Sequence, residues 1–270
     1  MKRPPSVTPP RRPPFVLGPV RVDSVDLDGA LDFIDALVAA GRGGVVFTPN
    51  VDHVILAHED PRMRAAYSKV DLSVADGMPL VWASRLLRPP LPQRVAGSDL
   101  VPHLLERAAE RRWRVYFLGG APGVAALARD TVLKQIPDLE IVGIDAPRFS
   151  PDEPMSAQQA VVERIRAARP HVVFVAFGAP KQEIWIDRFR EQVAPAVLLG
   201  VGATLDFLAG SIPRAPRWMA ESGLEWLFRL SREPRRLWRR YLLRDPKFLL
   251  VLGREIGMRV RARERTPGAP

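Results

Sequence analysis

His171-Val172-Val173-Phe174-Val175-Ala176-Phe177-Gly178-Ala179-Pro180-Lys181-Gln182 is the stretch that decides the fold. Its apolar residues follow one another without polar alternation, the run breaks into glycine and polar groups, and a helical pattern continues from Lys181 to Gln192. A strand with one face in water alternates apolar and polar residues. A run that is apolar throughout belongs to a strand covered on both faces, which is the habit of parallel sheets. Five further runs end in the same way, at Phe47-Thr48-Pro49-Asn50, Val74-Ala75-Asp76-Gly77, Leu118-Gly119-Gly120, Gly143-Ile144-Asp145 and Val201-Gly202-Ala203-Thr204. Helical patterns separate them, so the chain reads as α/β: a wound, mainly parallel, Rossmann-like sheet with flanking helices. Ligands in such sheets collect beyond the carboxyl ends of the strands, and the six polar breaks mark one rim.

Local signals fill in the remainder. Val20 to Val25 predicts a short strand, and the helix after it is expected to be capped at Asp28 and stopped at Gly41. His53 to Ser68 has helical spacing that Asp60-Pro61 kinks or divides. Pro79 suits a helical first turn, Ser98 or Asp99 is expected to cap a helix to Arg112, and Ser156 to Arg169 reads as helix. After Gly210 the texture changes to Ser211-Ile212-Pro213-Arg214-Ala215-Pro216, then to arginine-rich helices. The expected organisation is a disordered basic, proline-rich tail over 1–14, a catalytic α/β domain over 15–210, a helical basic appendage over 211–257 and a disordered tail over 258–270.

The chain has 270 residues and no cysteine, which excludes thiolate nucleophiles, zinc-thiolate sites and disulfides. No apolar h-region follows the basic start, so a signal peptide is not expected. The apolar stretch Phe248 to Leu252 is far short of the roughly 20 residues that span a bilayer. Net charge is +10, but Ser211 to Pro270 carries 15 Lys and Arg against 6 Asp and Glu, and Met1 to Pro14 adds four more cations. A slightly acidic body with two basic ends points to an anionic surface as partner. Over Arg235 to Arg244, helical spacing puts Leu237, Trp238, Tyr241 and Leu242 on one face and arginines on the other, which suits a membrane interface. A helix packed on the body with a solvated charged face fits equally, and no nucleic-acid motif accompanies the charge.

Among candidate chemical groups, Asp76 ends an apolar run beside Gly77 and can act as general base toward a hydroxyl, or simply cap the next helix. Thr48 and Asn50 offer a hydroxyl and an amide to a sugar or phosphate, or serve turn and cap chemistry. Gly119-Gly120-Ala121-Pro122-Gly123 has the look of a phosphate loop without dinucleotide spacing or a Walker lysine. Lys181 can meet a phosphate and Gln182 can bridge donors and acceptors at a helix start, although both also read as first-turn residues. Asp206 can accept bonds from ribose or base, or cap a turn. The four histidines have no metal-ligand spacing and Asp26-Leu27-Asp28 lies off the rim, so neither a metal nor a cofactor is expected. Two other classes compete with a sugar transferase: a nucleotide-binding oxidoreductase on a Rossmann-like sheet, which lacks its fingerprint here, and a non-enzymatic binder of anionic surfaces.

Taken together, Thr48-Pro49-Asn50, Ala75-Asp76-Gly77-Met78-Pro79, Arg94-Val95-Ala96-Gly97-Ser98-Asp99-Leu100, Gly178-Ala179-Pro180-Lys181-Gln182-Glu183, Pro213-Arg214-Ala215-Pro216, Gly223-Leu224-Glu225-Trp226 and Glu233-Pro234-Arg235-Arg236 resemble bacterial glycosyltransferases of the WecG/TagA/CpsF family. The resemblance runs from about Val20 to Glu255. It implies inverting, metal-independent transfer of a sugar from a UDP-sugar donor to a polyprenyl-diphosphate-linked sugar acceptor, at the inner face of the cell membrane, in synthesis of cell-surface polysaccharide or teichoic acid. It also implies Asp76 and Gln182 at the reaction centre, with Asp76 as base, and Thr48, Asn50 and Arg94 lining the substrate pocket. Asp206 would hold the uridine, and Arg229, Arg236 and Arg239 of a membrane-docked appendage would reach the diphosphate. By analogy it allows a homo-oligomer, with no nucleic acid as partner. The chain departs at Pro147-Arg148-Phe149, where the family usually carries Gly-Tyr-Phe. Donors such as N-acetylmannosamine, its uronic acid, glucose and glucuronic acid therefore stay open.

Overall fold

A computed structural model describes residues 12–264. Strands β1 (Phe15–Leu17) and β2 (Val20–Val22) form an antiparallel hairpin, so the expected strand at Val20 has a partner that its flanks did not signal. Helix α1 (Leu27–Ala40) is capped by Asp26, whose carboxylate accepts from the Gly29 amide at 2.8 Å, and not by Asp28, which lies inside the first turn. After β3 (Gly44–Phe47), Pro61 divides the next helical run into α2 (Val51–Glu59) and α3 (Pro61–Tyr67), with Asp60 capping the second. Strand β4 (Leu72–Ser73) leads to α4 (Met78–Leu87). Helix α5 (Gly97–Glu110) starts after Ala96 without a side-chain cap; Ser98 and Asp99 sit in its first turn, and Asp99 faces arginines instead.

Next come β5 (Arg114–Gly119), α6 (Val124–Gln135) and β6 (Glu140–Asp145). A short 3-10 turn at Met155–Gln158 precedes α7 (Gln159–Ala168), and β7 (Val172–Ala176), α8 (Lys181–Val193), β8 (Val197–Gly200) and α9 (Thr204–Leu208) complete the body. All six strands after the hairpin run parallel in the order β4-β3-β8-β7-β5-β6. The period of two sends Val173 and Val175 of β7 into one buried layer and Val172 and Phe174 into the other, which is why the run carries no polar residue. Helices α2, α3, α4, α7 and α8 cover the first face, and α1, α5, α6 and α9 the second. The chain leaves β3 toward β4 and later returns to β8 from the other side, so β3 and β8 flank a topological switch point, where a crevice opens beyond the strand ends.

The appendage consists of α10 (Arg217–Glu221), α11 (Glu225–Arg232), α12 (Pro234–Trp238), a π-helical segment at Arg239–Arg244 and α13 (Lys247–Glu264). The π-helical segment overturns the expected two-faced helix. Leu237 is buried and Leu242 is exposed, so they do not share a face, and Arg240 and Arg244 turn inward to Asp52. Residues 258–264 continue α13, where the sequence predicts a tail; 265–270, like 1–11 of the expected N-terminal tail, lie outside the described residues. Leu237 and Phe248 anchor the appendage, each burial contributing about 1.5–3 kcal/mol, against about 0–1 kcal/mol for an exposed ion pair such as Lys247 with Glu59. Apolar burial therefore holds the appendage down, and its ion pairs set its register. No helix among the described residues is long and apolar enough to cross a membrane.

Candidate functional site

Asp76 is fixed from three sides. Its amide donates to Pro49 O at 2.8 Å, Val95 N–H donates to Ala75 O at 2.8 Å, and the Gly97 amide donates to Asp76 Oδ1 at 3.2 Å. Gly77 precedes α4 without any side-chain cap, so the carboxylate does not cap that helix and meets the first amide of α5 instead. Burial, reinforced by the negative charge of Glu225, pushes the Asp76 carboxyl up to about 7, against the pull of Arg94, Arg229 and His53. A carboxyl of that kind exchanges protons near neutral pH, as a general base must.

Two cavities meet at this residue. One, of about 900 Å³, is polar and is lined by Thr48, Lys181, Gln182, Asp206 and the arginines 148, 229, 236, 239, 240 and 244. The other, of about 500 Å³, is mostly apolar, with Met78, Trp82, Leu86, Trp226, Phe248 and Leu252 on its walls. Asn50, Asp76, Glu225, Arg229 and Arg240 line both. Thr48, Asn50, Asp76, Lys181, Gln182, Asp206, Arg229, Arg236 and Arg239 border the polar cavity, and Arg94 borders the apolar one.

Several of these side chains have protein partners. Thr48 is buried and donates to Gly200 O at 3.2 Å, bridging β3 and β8 across the crevice. Asn50 caps α2, its Oδ1 accepting from the Asp52 amide at 3.1 Å and from Arg240 Nη2 at 3.0 Å, so the cap reading holds and the residue still faces both cavities. Gln182 is buried; its Nε2 donates to Glu183 Oε1 at 2.7 Å and its Oε1 accepts from the Gly202 amide at 2.9 Å. The amide thus pins the loop after β8, and a Cβ at Gly200 would stand in tight contact with it, 3.0 Å from Gln182 Nε2. Lys181 is exposed at the first position of α8. Asp206 is half-buried, and desolvation raises its carboxyl, with Glu233 adding to the rise and Arg236 and Arg229 opposing it. Arg148 is exposed on the loop after β6, whose neighbour Phe149 is buried against Phe177 beneath the Arg188 guanidinium. The glycine loop after β5 has positive φ at Gly119, Gly120 and Gly123, and a Cβ at Gly119 would meet Ala176 backbone at 2.8 Å. Tight-turn geometry accounts for that loop, with Gly120 and Ala121 on the cavity wall.

The arginines differ in availability. Arg94 Nη1 donates to Glu225 Oε2 at 3.1 Å and Nη2 to Asp99 Oδ2 at 2.9 Å. The Arg229 guanidinium lies 5.7 Å from the Phe207 ring centre, and its buried Nε has no acceptor among the described residues. Arg236 pairs with Glu233 at 2.8 Å, and Arg239 lies over Trp238. Among the described residues no three His, Asp or Glu side chains are grouped to hold a metal ion. The local charges that can meet a phosphate are guanidinium and ammonium groups.

Sequence reasoning missed Arg240, Arg244, Asp52, Glu225 and the pair of His53 with Glu183. Asp52, almost fully buried, pairs with Arg240 at 3.3 Å and Arg244 at 3.0 Å. Glu183, wholly buried, lies 3.2 Å from His53 Nε2. Glu183 stood in a quoted motif, and Glu225 precedes Arg229 by one helical turn; those signals were present, but partners more than 100 residues away gave none.

The sequence profile described as the glycosyl transferase WecG/TagA/CpsF family matches residues 15–262. The chain is 34% identical over 234 residues to the N-acetylglucosaminyldiphosphoundecaprenol N-acetyl-beta-D-mannosaminyltransferase of Bacillus spizizenii, which covers 82% of this chain and 88% of that protein.

Proposed function

This chain belongs to the WecG/TagA/CpsF family of glycosyl transferases, and from that premise we propose that it moves an N-acetylmannosamine-type sugar from a UDP-sugar to a polyprenyl-diphosphate-linked sugar, with inversion and without a metal. The observation that carries this reading is the junction of the two cavities at Asp76. The polar cavity takes the nucleotide, with Asp206 on the uridine and the appendage arginines on the diphosphate. The apolar cavity takes the lipid-linked acceptor. The Asp76 carboxylate accepts the proton of the acceptor hydroxyl as its oxygen bonds to the anomeric carbon. The bond from that carbon to UDP breaks in the same event, and the electron pair leaves with UDP. Negative charge then grows on the diphosphate, where Arg229, Arg236, Arg239 and Arg240 can offset it in place of a metal. Gln182 acts here as a positioning residue, through the loop it pins. The oxidoreductase alternative lapses with the family assignment.

A panel of UDP-sugars, offered with a short-chain prenyl-diphosphate N-acetylglucosamine in the presence of a chelator, tests the reading. UDP-N-acetylmannosamine is expected to give the fastest transfer. Absence of transfer from every UDP-sugar would reject the function, and loss of activity in chelator with recovery on adding a divalent cation would reject metal independence.

The reading places the protein on the inner membrane surface through the appendage. Support comes from large apolar side chains that stay exposed there, including Trp218, Trp226, Trp238, Leu242, Leu243, Leu249 and Leu250, interleaved with arginines. Leu249→Glu with Leu250→Glu is expected to cut co-sedimentation with anionic vesicles at least tenfold while leaving the soluble fold unchanged. Undiminished sedimentation would remove this segment from the membrane contact.

A further inference from the structure

Arg94 stands beside Asp76, and an arginine free to pair with a carboxylate would stabilise its charged form and weaken it as a base. Here the guanidinium is committed elsewhere. It is largely buried, with one nitrogen on Glu225 of α11 and another on Asp99 of α5, and Asp99 also receives Arg214 of the linker. The network Glu225–Arg94–Asp99–Arg214 therefore joins the body to the appendage at the lip of the apolar cavity. Resting on the assignment of Asp76 as acceptor base, we propose that Glu225 is a positioning residue that holds Arg94 away from Asp76, so that the base reaches working strength only when the appendage is seated.

Asp76 is surrounded from every element that packs on it. His53 and Asn50 belong to α2 and its cap, the Gly97 amide to the start of α5, Arg94 to the segment before it, Glu225 and Arg229 to α11, and Arg240 to the π-helical segment. Arg94, Arg229 and His53 lower the proton affinity of Asp76, and Glu225 raises it. Glu225 thus acts twice, as a nearby negative charge and as the partner that occupies Arg94. Both effects reside on the appendage, where Arg229 of the same helix opposes them only in part, and burial of Asp76 adds to the rise.

Titration of the Asp76 carboxyl carbon, followed by 13C NMR in the full chain and identified by its absence in Asp76→Asn, tests the proposal without any substrate. Glu225→Gln is expected to lower the Asp76 midpoint by about one unit, in line with releasing a neighbouring cation and removing an anion. Glu225→Asp should restore most of the wild-type value. The acid limb of kcat/KM should move to lower pH by the same amount in Glu225→Gln. A purely structural role would depress the rate at every pH and leave the limb in place. An unchanged Asp76 midpoint in folded Glu225→Gln overturns the proposal. Should that variant not fold, Asp99→Asn decides, since it releases Arg94 from its other side and is expected to move the midpoint in the same direction. Failure of the donor panel would reject the proposed function while leaving this titration readable.

Discussion

Asp76→Asn is expected to fold as the wild type does, to bind UDP with unchanged affinity and to transfer sugar about 10²–10⁴ times more slowly, the range that a positioned general base supplies. Asparagine has the same shape and keeps an acceptor for the Gly97 amide, so the strand end is not disturbed. What it lacks is the ability to take a proton. The pH dependence gives a second signature. With the carboxyl at about 7, the base is protonated and idle below that value, so wild-type kcat/KM should fall about tenfold per unit as pH drops below about 7, and stay level above it. The variant should lose that limb. Turnover near the wild-type rate would remove Asp76 from the chemistry.

Arg229→Ala should lower kcat/KM by about 10²–10³, the cost of removing one preorganised donor from developing charge. Three features recommend this arginine. It lines both cavities, its guanidinium is braced over Phe207, and its buried Nε has no acceptor among the described residues. Arg236 and Arg239 are more exposed, and each should cost less. Arg229→Lys should recover little, because an ammonium lacks the planar fork. A variant that changes only KM would mean that Arg229 binds ground state and transition state equally. Comparing single-turnover and steady-state rates would separate that case.

The sheet was legible because both of its faces are buried. Phe174 and Val173 point to opposite layers yet are both apolar, so the run declared itself without help from any other part of the chain. The polar breaks located the rim for the same reason: backbone leaving a covered sheet reaches solvent at its ends. The hairpin strand Phe15–Leu17 was harder to see, since three residues next to proline carry little period. The caps at Asp26 and Ala96 were misplaced by two or three residues, because several acceptors stand near each helix start and only backbone direction chooses among them. The π-helical turn at Arg239–Arg244 was invisible to any reading at 100° per residue, and with it went the inward arginines. Asp52 selects Arg240 and Arg244, and Glu225 selects Arg94, over separations that no local pattern encodes. The rim was thus legible by position, whereas Asp52, Glu225, the inward arginines Arg240 and Arg244 and all the pairings were not.

The first and last elements of the body and appendage touch. Gly18 N–H donates to Glu255 Oε1 at 3.2 Å, and the Arg259 guanidinium donates to Val16 O at 3.1 Å and Arg88 O at 2.9 Å. A growing chain emerging from a ribosome can lay down the sheet before these contacts exist, since every strand among the described residues precedes Val201. Helix α13 clasps the hairpin only after synthesis has passed residue 255, several seconds later at the usual rate of about 5–20 residues per second. For most of that interval Phe248 is missing from the core. Until then the sheet stands with an open mouth, and α13, the last helix among the described residues, is the one that closes over the hairpin.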